Sequence, residues 1–125
     1  MKVVGLDHLV LTVEDLEATV EFYTRVMGMS VRAFERGRLA LRFGSQKINL
    51  HEAGQEFEPH ARRPTPGSAD LCFVTEGGLD EWLDHLAASG VELVEGPVPR
   101  LGALGPMTSI YFCDPDGNLI EVASY

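Results

Sequence analysis

Four side chains in this sequence bind metal ions or move protons by type and sit where strands are expected: His8, His51, Asp70 and Glu121. His8 stands in the alternating run Gly5-Leu6-Asp7-His8-Leu9-Val10-Leu11-Thr12-Val13. One ring nitrogen of an imidazole can hold Zn, Ni, Mn or Fe while a neighbour fixes the other. The competing reading is a histidine satisfied by hydrogen bonds at a strand start. Glu121 lies between Ile120 and Val122, so its carboxylate faces either solvent or a polar partner, because burying an unpaired charge is costly. Asp70 opens a second run, Asp70-Leu71-Cys72-Phe73-Val74, in the place His8 takes in the first. As a ligand its oxygen shifts preference towards Mg or Mn; otherwise it is a substrate contact or an exposed strand-start residue. His51 follows Asn49 by two residues and shares its strand face. It reads as a ligand, a proton-transfer base or a histidine at a cavity mouth. A duplicated unit with metal-competent groups at matching strand positions points to a small-molecule metal site built between two halves.

Other residues join these by strand parity. Thr12, Cys72, Val74 and Tyr111 fall on the cavity-lining side of their runs. Tyr111 either donates a hydrogen bond to an oxyanion or packs as a core aromatic with its hydroxyl at the edge. Asn49 is a weak ligand and a better hydrogen-bond partner for substrate. The arginines cluster: Arg32, Arg36, Arg38 and Arg42 around one hairpin, Arg62 and Arg63 in a central stretch, Arg100 in a late loop. Each is a solvated surface residue or a planar clamp for an anionic substrate, and Arg100 is the candidate carried forward. Cys72 and Cys113, without C-x-x-C spacing, read as core thiols.

The elements that must position these groups come in the same order twice. Alternation predicts a strand from Gly5 to Val13, and helical spacing of Leu16, Val20, Tyr23 and Met27 predicts a helix ended by Gly28. Strands are expected over Met29–Glu35, Arg38–Phe43 and Gln46–Glu52. Ala53 to Gly67 has the Gly and Pro content of a linker. The second half then reads as a strand (Ala69–Thr75), a helix (Leu79–Ala88), a strand (Val91–Glu95), a Gly/Pro-rich loop (Gly96–Gly105), and strands over Pro106–Cys113 and Asn118–Ser124. The boundaries follow: module 1 about 1–53, linker 54–67, module 2 about 68–125.

Composition narrows the function. At 125 residues the chain makes one domain. A net charge of −9 argues against nucleic-acid binding, which needs a basic surface. No apolar run approaches the ~20 residues that span a bilayer, and the N-terminus lacks a signal peptide's pattern. A cytoplasmic protein with no membrane partner is expected.

The order of elements, with Asp7-His8-Leu9-Val10-Leu11-Thr12-Val13, Phe22-Tyr23 to Gly28-Met29, and Asp114-Pro115-Asp116-Gly117-Asn118-Leu119-Ile120-Glu121-Val122, resembles the vicinal oxygen chelate superfamily. That group includes glyoxalase, fosfomycin-resistance, bleomycin-resistance and extradiol dioxygenase proteins. Ile48-Asn49-Leu50-His51-Glu52, Glu56-Phe57-Glu58-Pro59, Glu95-Gly96-Pro97-Val98-Pro99-Arg100 and Ser109-Ile110-Tyr111-Phe112 resemble more closely the glyoxalase domain-containing protein 5 group. The resemblance implies an α+β fold of two βαβββ modules forming a curved mixed sheet around a cavity. It also implies metal ligands from the first and last module strands, which places His8, Asp70, Glu121 and a residue of Gln46–Glu52 in the candidate set. A homodimer is implied as well.

Three functions are open on this reading. One is a divalent-metal enzyme of the glyoxalase type, a lyase or isomerase that stabilises an enolate or oxyanion of a chelating substrate, with Glu121 or His51 moving the proton. The second is a metal-free protein that sequesters a ligand, as bleomycin-resistance proteins do. An extradiol-type dioxygenase is the third; its two histidines and one carboxylate would require His51.

Overall fold

The computed structural model describes all residues, Met1–Tyr125. It divides into two compact units, Met1–Pro66 and Gly67–Tyr125. Each is a four-stranded mixed sheet with one helix, in the order strand, helix, three strands.

The first unit contains β1 (His8–Val13), α1 (Leu16–Arg25), β2 (Ser30–Ala33), a short 3₁₀ turn over Glu35–Gly37, β3 (Leu39–Phe43) and β4 (Gln46–Glu52). Its strands lie in the order β1-β4-β3-β2, with β1 parallel to β4 and the other pairs antiparallel. Asp15 caps α1, its carboxylate accepting from the Ala18 backbone N–H at 3.1 Å and satisfying one otherwise orphaned helix donor. At the other end Gly28 takes a left-handed φ of 69°, and the Met29 N–H donates to the Tyr23 carbonyl at 3.0 Å. Alternation then separates two faces. Leu11, Val13, Leu41, Ile48 and Leu50 are buried with Phe22, Tyr23 and Val26 of the helix segment. Each such side chain contributes about 1.5–3 kcal/mol through the water it leaves. The opposite face carries His8, Val10 and Thr12 on β1, in register with Lys47, Asn49 and His51 on β4.

The second unit contains β5 (Asp70–Val74), α2 (Asp80–Ala88), β6 (Glu95–Gly102), β7 (Gly105–Cys113) and β8 (Leu119–Ser124), in the order β5-β8-β7-β6. Ile110, Phe112, Ile120 and Val122 are buried on one face together with Leu86 of α2. Asp70 and Cys72 on β5, Glu121 on β8, and Ser109 and Tyr111 on β7 share the other. The turn before β8 is built from its own side chains. Asp114, 6 % exposed, accepts at Oδ1 from the Asp116 and Asn118 N–H groups, both at 2.9 Å, and at Oδ2 from the Asn118 amide at 2.7 Å. Asn118 Oδ1 in turn accepts from the Ala69 N–H at 2.8 Å. The start of β8 is thereby tied to the start of β5, and the Glu121 register follows from it.

Two expectations are corrected here. The segment Gly96–Gly105 is a strand and its hairpin turn, not a loop, and no strand spans Val91–Val94. Pro97 and Pro99 lack N–H donors, but β6 is an edge strand, where a missing ladder donor is tolerated. The irregular register between Glu95 and Val98 absorbs the rest. Gly96 at φ 110° permits it: a Cβ there would meet the Ser109 carbonyl oxygen at 2.5 Å. The cysteines are also not core thiols. Both Cys72 and Cys113 are exposed, because parity places them on the polar face that carries Glu121.

Candidate functional site

The polar face of the first unit begins at His8. Its Nδ1 lies 2.7 Å from the Asp7 carboxylate, and the imidazole is partly exposed. Hydrogen bonding to His8, reinforced by its charge, lowers the Asp7 pKa below the ordinary carboxylate value. The pairing orients the ring and leaves Nε2 for another partner. A carboxylate behind a histidine is the arrangement that fixes the tautomer and raises the donor strength of metal-bound imidazoles.

His51 lies elsewhere on this face. The register partner of His8 is Lys47, and that of His51 is Thr12. Four residues of strand separate the two positions, roughly 13 Å at ~3.3 Å per residue. Side chains standing perpendicular to a sheet do not converge over that span, so His8 and His51 of one chain do not share a metal ion. Thr12 faces His51, and Asn49 faces Val10.

Around His51 the face closes. Its ring is 7 % exposed and packs edge-on against Phe57, with centroids 5.6 Å apart. The Arg38 guanidinium lies over the same Phe57 ring, 4.1 Å from its centroid. Burial first, and then the Arg38 charge, push the His51 pKa below its ordinary value. The imidazole is therefore neutral near pH 7 and able to accept a proton. Arg38 and Phe57 were not singled out as site residues by sequence reasoning. The signal for Arg38 was its place one residue before β3, opposite His51; for Phe57, it was a lone aromatic among Gly, Pro and charged residues.

On the second unit Glu121 is the centre. The Ser109 hydroxyl donates to Glu121 Oε2 at 2.6 Å. The Cys72 thiol and the Tyr111 hydroxyl also hydrogen-bond to this carboxylate. Arg100 Nε donates to the Tyr111 oxygen at 2.8 Å, and Arg100 Nη2 lies 3.4 Å from a Glu95 carboxylate oxygen. Arg100 is thus paired with both Tyr111 and Glu95. Asp70 sits on the same face, on the strand beside Glu121 and two positions before Cys72. Val74 is exposed on this face. Ser109 was missed by the sequence reading, although its alternation with Tyr111 places it beside Glu121.

No group of three or more His, Cys, Asp or Glu side chains in the structure is arranged to hold a metal ion. The individual donors still have the right chemistry. His8 is oriented by a carboxylate, and Glu121 is held in place by neutral donors that leave part of its lone-pair capacity open.

Cys72 is not a nucleophile here. Partial burial, then the Glu121 charge, raise its pKa to about 11. The thiolate fraction at pH 7 is then roughly 10⁻⁴, against a few per cent for a free thiol. Alkylation by iodoacetamide, followed by mass spectrometry across pH, is expected to be slow at pH 7.5 and to rise steeply only near pH 11. Glu121→Gln removes the negative charge and is expected to bring the midpoint down; an unchanged midpoint would contradict the assigned cause.

Each unit is a βαβββ module of a glyoxalase-like fold, with donors and acceptors on its polar sheet face. The sequence profile of the Glyoxalase/Bleomycin resistance protein/Dioxygenase superfamily matches residues 5–122, and the chain belongs to that superfamily. It is 57 % identical over 125 residues to glyoxalase domain-containing protein RDO1 of Mycosarcoma maydis, covering 100 % of this chain and 70 % of that one. It is 54 % identical over 120 residues to virulence protein STM3117 of Salmonella typhimurium, covering 96 % and 83 % respectively. The crystal structure of the Salmonella protein superposes with a TM-score of 0.98 at 53 % identity, covering 100 % of this chain and 99 % of that one. Metallothiol transferase FosB of Staphylococcus epidermidis is 25 % identical over 123 residues, covering 98 % and 82 %. No helix is long and apolar enough to cross a membrane.

Proposed function

We propose that this protein is a divalent-metal enzyme of the glyoxalase type, a lyase or isomerase acting on a small substrate with vicinal oxygens. His8, Asp70 and Glu121 are its proposed protein donors. The observation that carries this reading is the His8 Nδ1–Asp7 pairing at 2.7 Å, which prepares Nε2 as a ligand. The name of the FosB relative, a metallothiol transferase, also favours a metal. Bound there, the metal would act as a Lewis acid on the substrate oxygens.

The chain's own groups divide the remaining work. Ser109, Cys72 and Tyr111 occupy lone pairs of Glu121, which suits that carboxylate to holding rather than to proton abstraction. His51, neutral and with Nδ1 unpaired, is the proposed proton-transfer base. Thr12 and Asn49 lie on the same face as His51 and are proposed substrate contacts. On the second unit, Arg100 positions Tyr111, whose hydroxyl proton is proposed to turn from Glu121 to a developing oxyanion. Homodimerisation is part of the reading. The first unit exposes Met1, Val3, Val4 and Leu6, and the second Leu101 and Leu104, apolar side chains that association would cover.

Elemental analysis of protein purified without added metal tests the proposal, in parallel with His8→Ala. Near-stoichiometric divalent metal in the parent protein and its loss in the variant are expected. The absence of metal from the parent after reconstitution with Zn, Ni, Mn and Fe would instead favour ligand sequestration.

A further inference from the structure

Three polar atoms on the first unit's polar face are buried without a hydrogen-bond partner: Arg38 Nε, Asn49 Oδ1 and His51 Nδ1. An unmade hydrogen bond at a buried group is costly, more so when the group is charged. Three on neighbouring strand positions form a pattern, since Asn49 and His51 are two residues apart on β4 and Arg38 immediately precedes β3, across from His51. His51 is more than nine-tenths buried. No ion pair holds Arg38; its charged head lies over the face of Phe57. The nearby Glu56 carboxylate is committed to the Gly54 N–H at 2.8 Å. Arg38 and Phe57 also border a cavity of about 90 Å³, whose other walls include Leu16, Leu39 and Leu50 and not Asn49 or His51.

The chemistry of the unpaired atoms defines their complement. Arg38 Nε needs an acceptor, and the planar guanidinium edge suits a carboxylate. Asn49 Oδ1 needs a donor, which a hydroxyl next to that carboxylate supplies. His51 Nδ1 takes or gives the remaining hydrogen bond, according to its tautomer. We infer that Arg38, Asn49, His51 and Phe57 form a binding subsite for a 2-hydroxycarboxylate group, with Arg38 as its anion clamp and Phe57 as its apolar wall. The inference rests on the reading of this face as the substrate side, and it names the class of substrate. It does not require the metal.

The test is an NMR titration of the full chain with glycolate. It follows the His51 and Phe57 ring signals, once in protein as purified and once after treatment with a chelator. Glycolate is expected to move both sets of signals in both preparations, and the neutral isostere glycolamide is expected to leave them unmoved. Arg38→Gln is expected to weaken glycolate binding by roughly 10–100-fold, the range of a hydrogen bond to a charged group. If Arg38→Gln fails to fold by circular dichroism, Asn49→Asp, which sets a carboxylate against the ligand's own, is expected to cause a comparable loss. The subsite is overturned if glycolate moves nothing, if glycolamide binds as well, or if a folded variant keeps parental affinity. It is also overturned as a carboxylate site if inorganic phosphate binds more tightly than glycolate. Glycolate binding to a protein that takes up no divalent metal, as purified or after reconstitution, would sink the metalloenzyme reading and leave this one standing.

Discussion

Replacing His8 with alanine is expected to lower divalent-metal affinity by more than ~100-fold and to lower any metal-dependent turnover by at least as much. The size follows from what is removed. Altering a group that merely orients a metal-bound histidine typically costs 10–100-fold in affinity, and His8→Ala takes away the ligand itself. Asp7→Asn, which keeps the ring but weakens its carboxylate support, is expected to fall within that smaller range. Folding is spared because His8 opens β1 and its side chain is 43 % exposed, so truncation leaves no cavity in the core. Isothermal titration calorimetry of the apoprotein with Zn or Mn, with elemental analysis of the purified variants, reads both effects. A His8→Ala protein that holds the parental amount of metal would refute the ligand assignment.

The largest effect on stability is expected at Asp114. Asp114→Ala deletes one carboxylate that accepts three hydrogen bonds from Asp116 and Asn118 at a site 6 % exposed. The stranded donors and the loosened turn are expected to cost about 2–5 kcal/mol, against the roughly 5–15 kcal/mol that holds an ordinary domain together. Urea denaturation gives the number, with an unchanged m-value marking a loss of stability and not of compactness. Asp114→Asn, which keeps the shape and some of the acceptor capacity, is expected to cost less. Should Asp114→Ala unfold at the parental urea midpoint, the turn is not the anchor of β8.

The turn also shows how sequence and structure divide the explanation. Asp114-Pro115-Asp116-Gly117-Asn118 is recognisable in the sequence as a turn feeding a strand, because Asp, Pro and Gly each impose a local geometry. That Asn118 reaches back 49 residues to the Ala69 N–H is invisible locally. Yet this contact links β8 to β5 and sets Glu121 level with Cys72. The misreading of Gly96–Gly105 has the same origin. Two prolines and terminal glycines are loop chemistry in isolation, and only the position of β6 at the sheet edge makes a strand tolerable there. The cysteines were assigned to the core on hydrophobic character, while alternation in the folded sheet assigned them to the polar face.

The sequence by itself determined the repeated strand–helix–strand order, the two helices, the glycine that ends the first of them and the candidates His8 and Glu121. These depend on periodicity, on turn chemistry and on residue types rarely placed in strands without a reason, all of which are local. Only the tertiary structure decided which candidates become neighbours. Register parts His51 from His8 within a chain, surrounds Glu121 with Ser109, Cys72 and Tyr111, and gathers Arg38, Asn49, His51 and Phe57 at one end of a sheet. Pairing between strands is a non-local choice, and a shift of one residue turns every side chain to the other face. The chemistry of each residue is written in the chain; the company it keeps is a property of the fold.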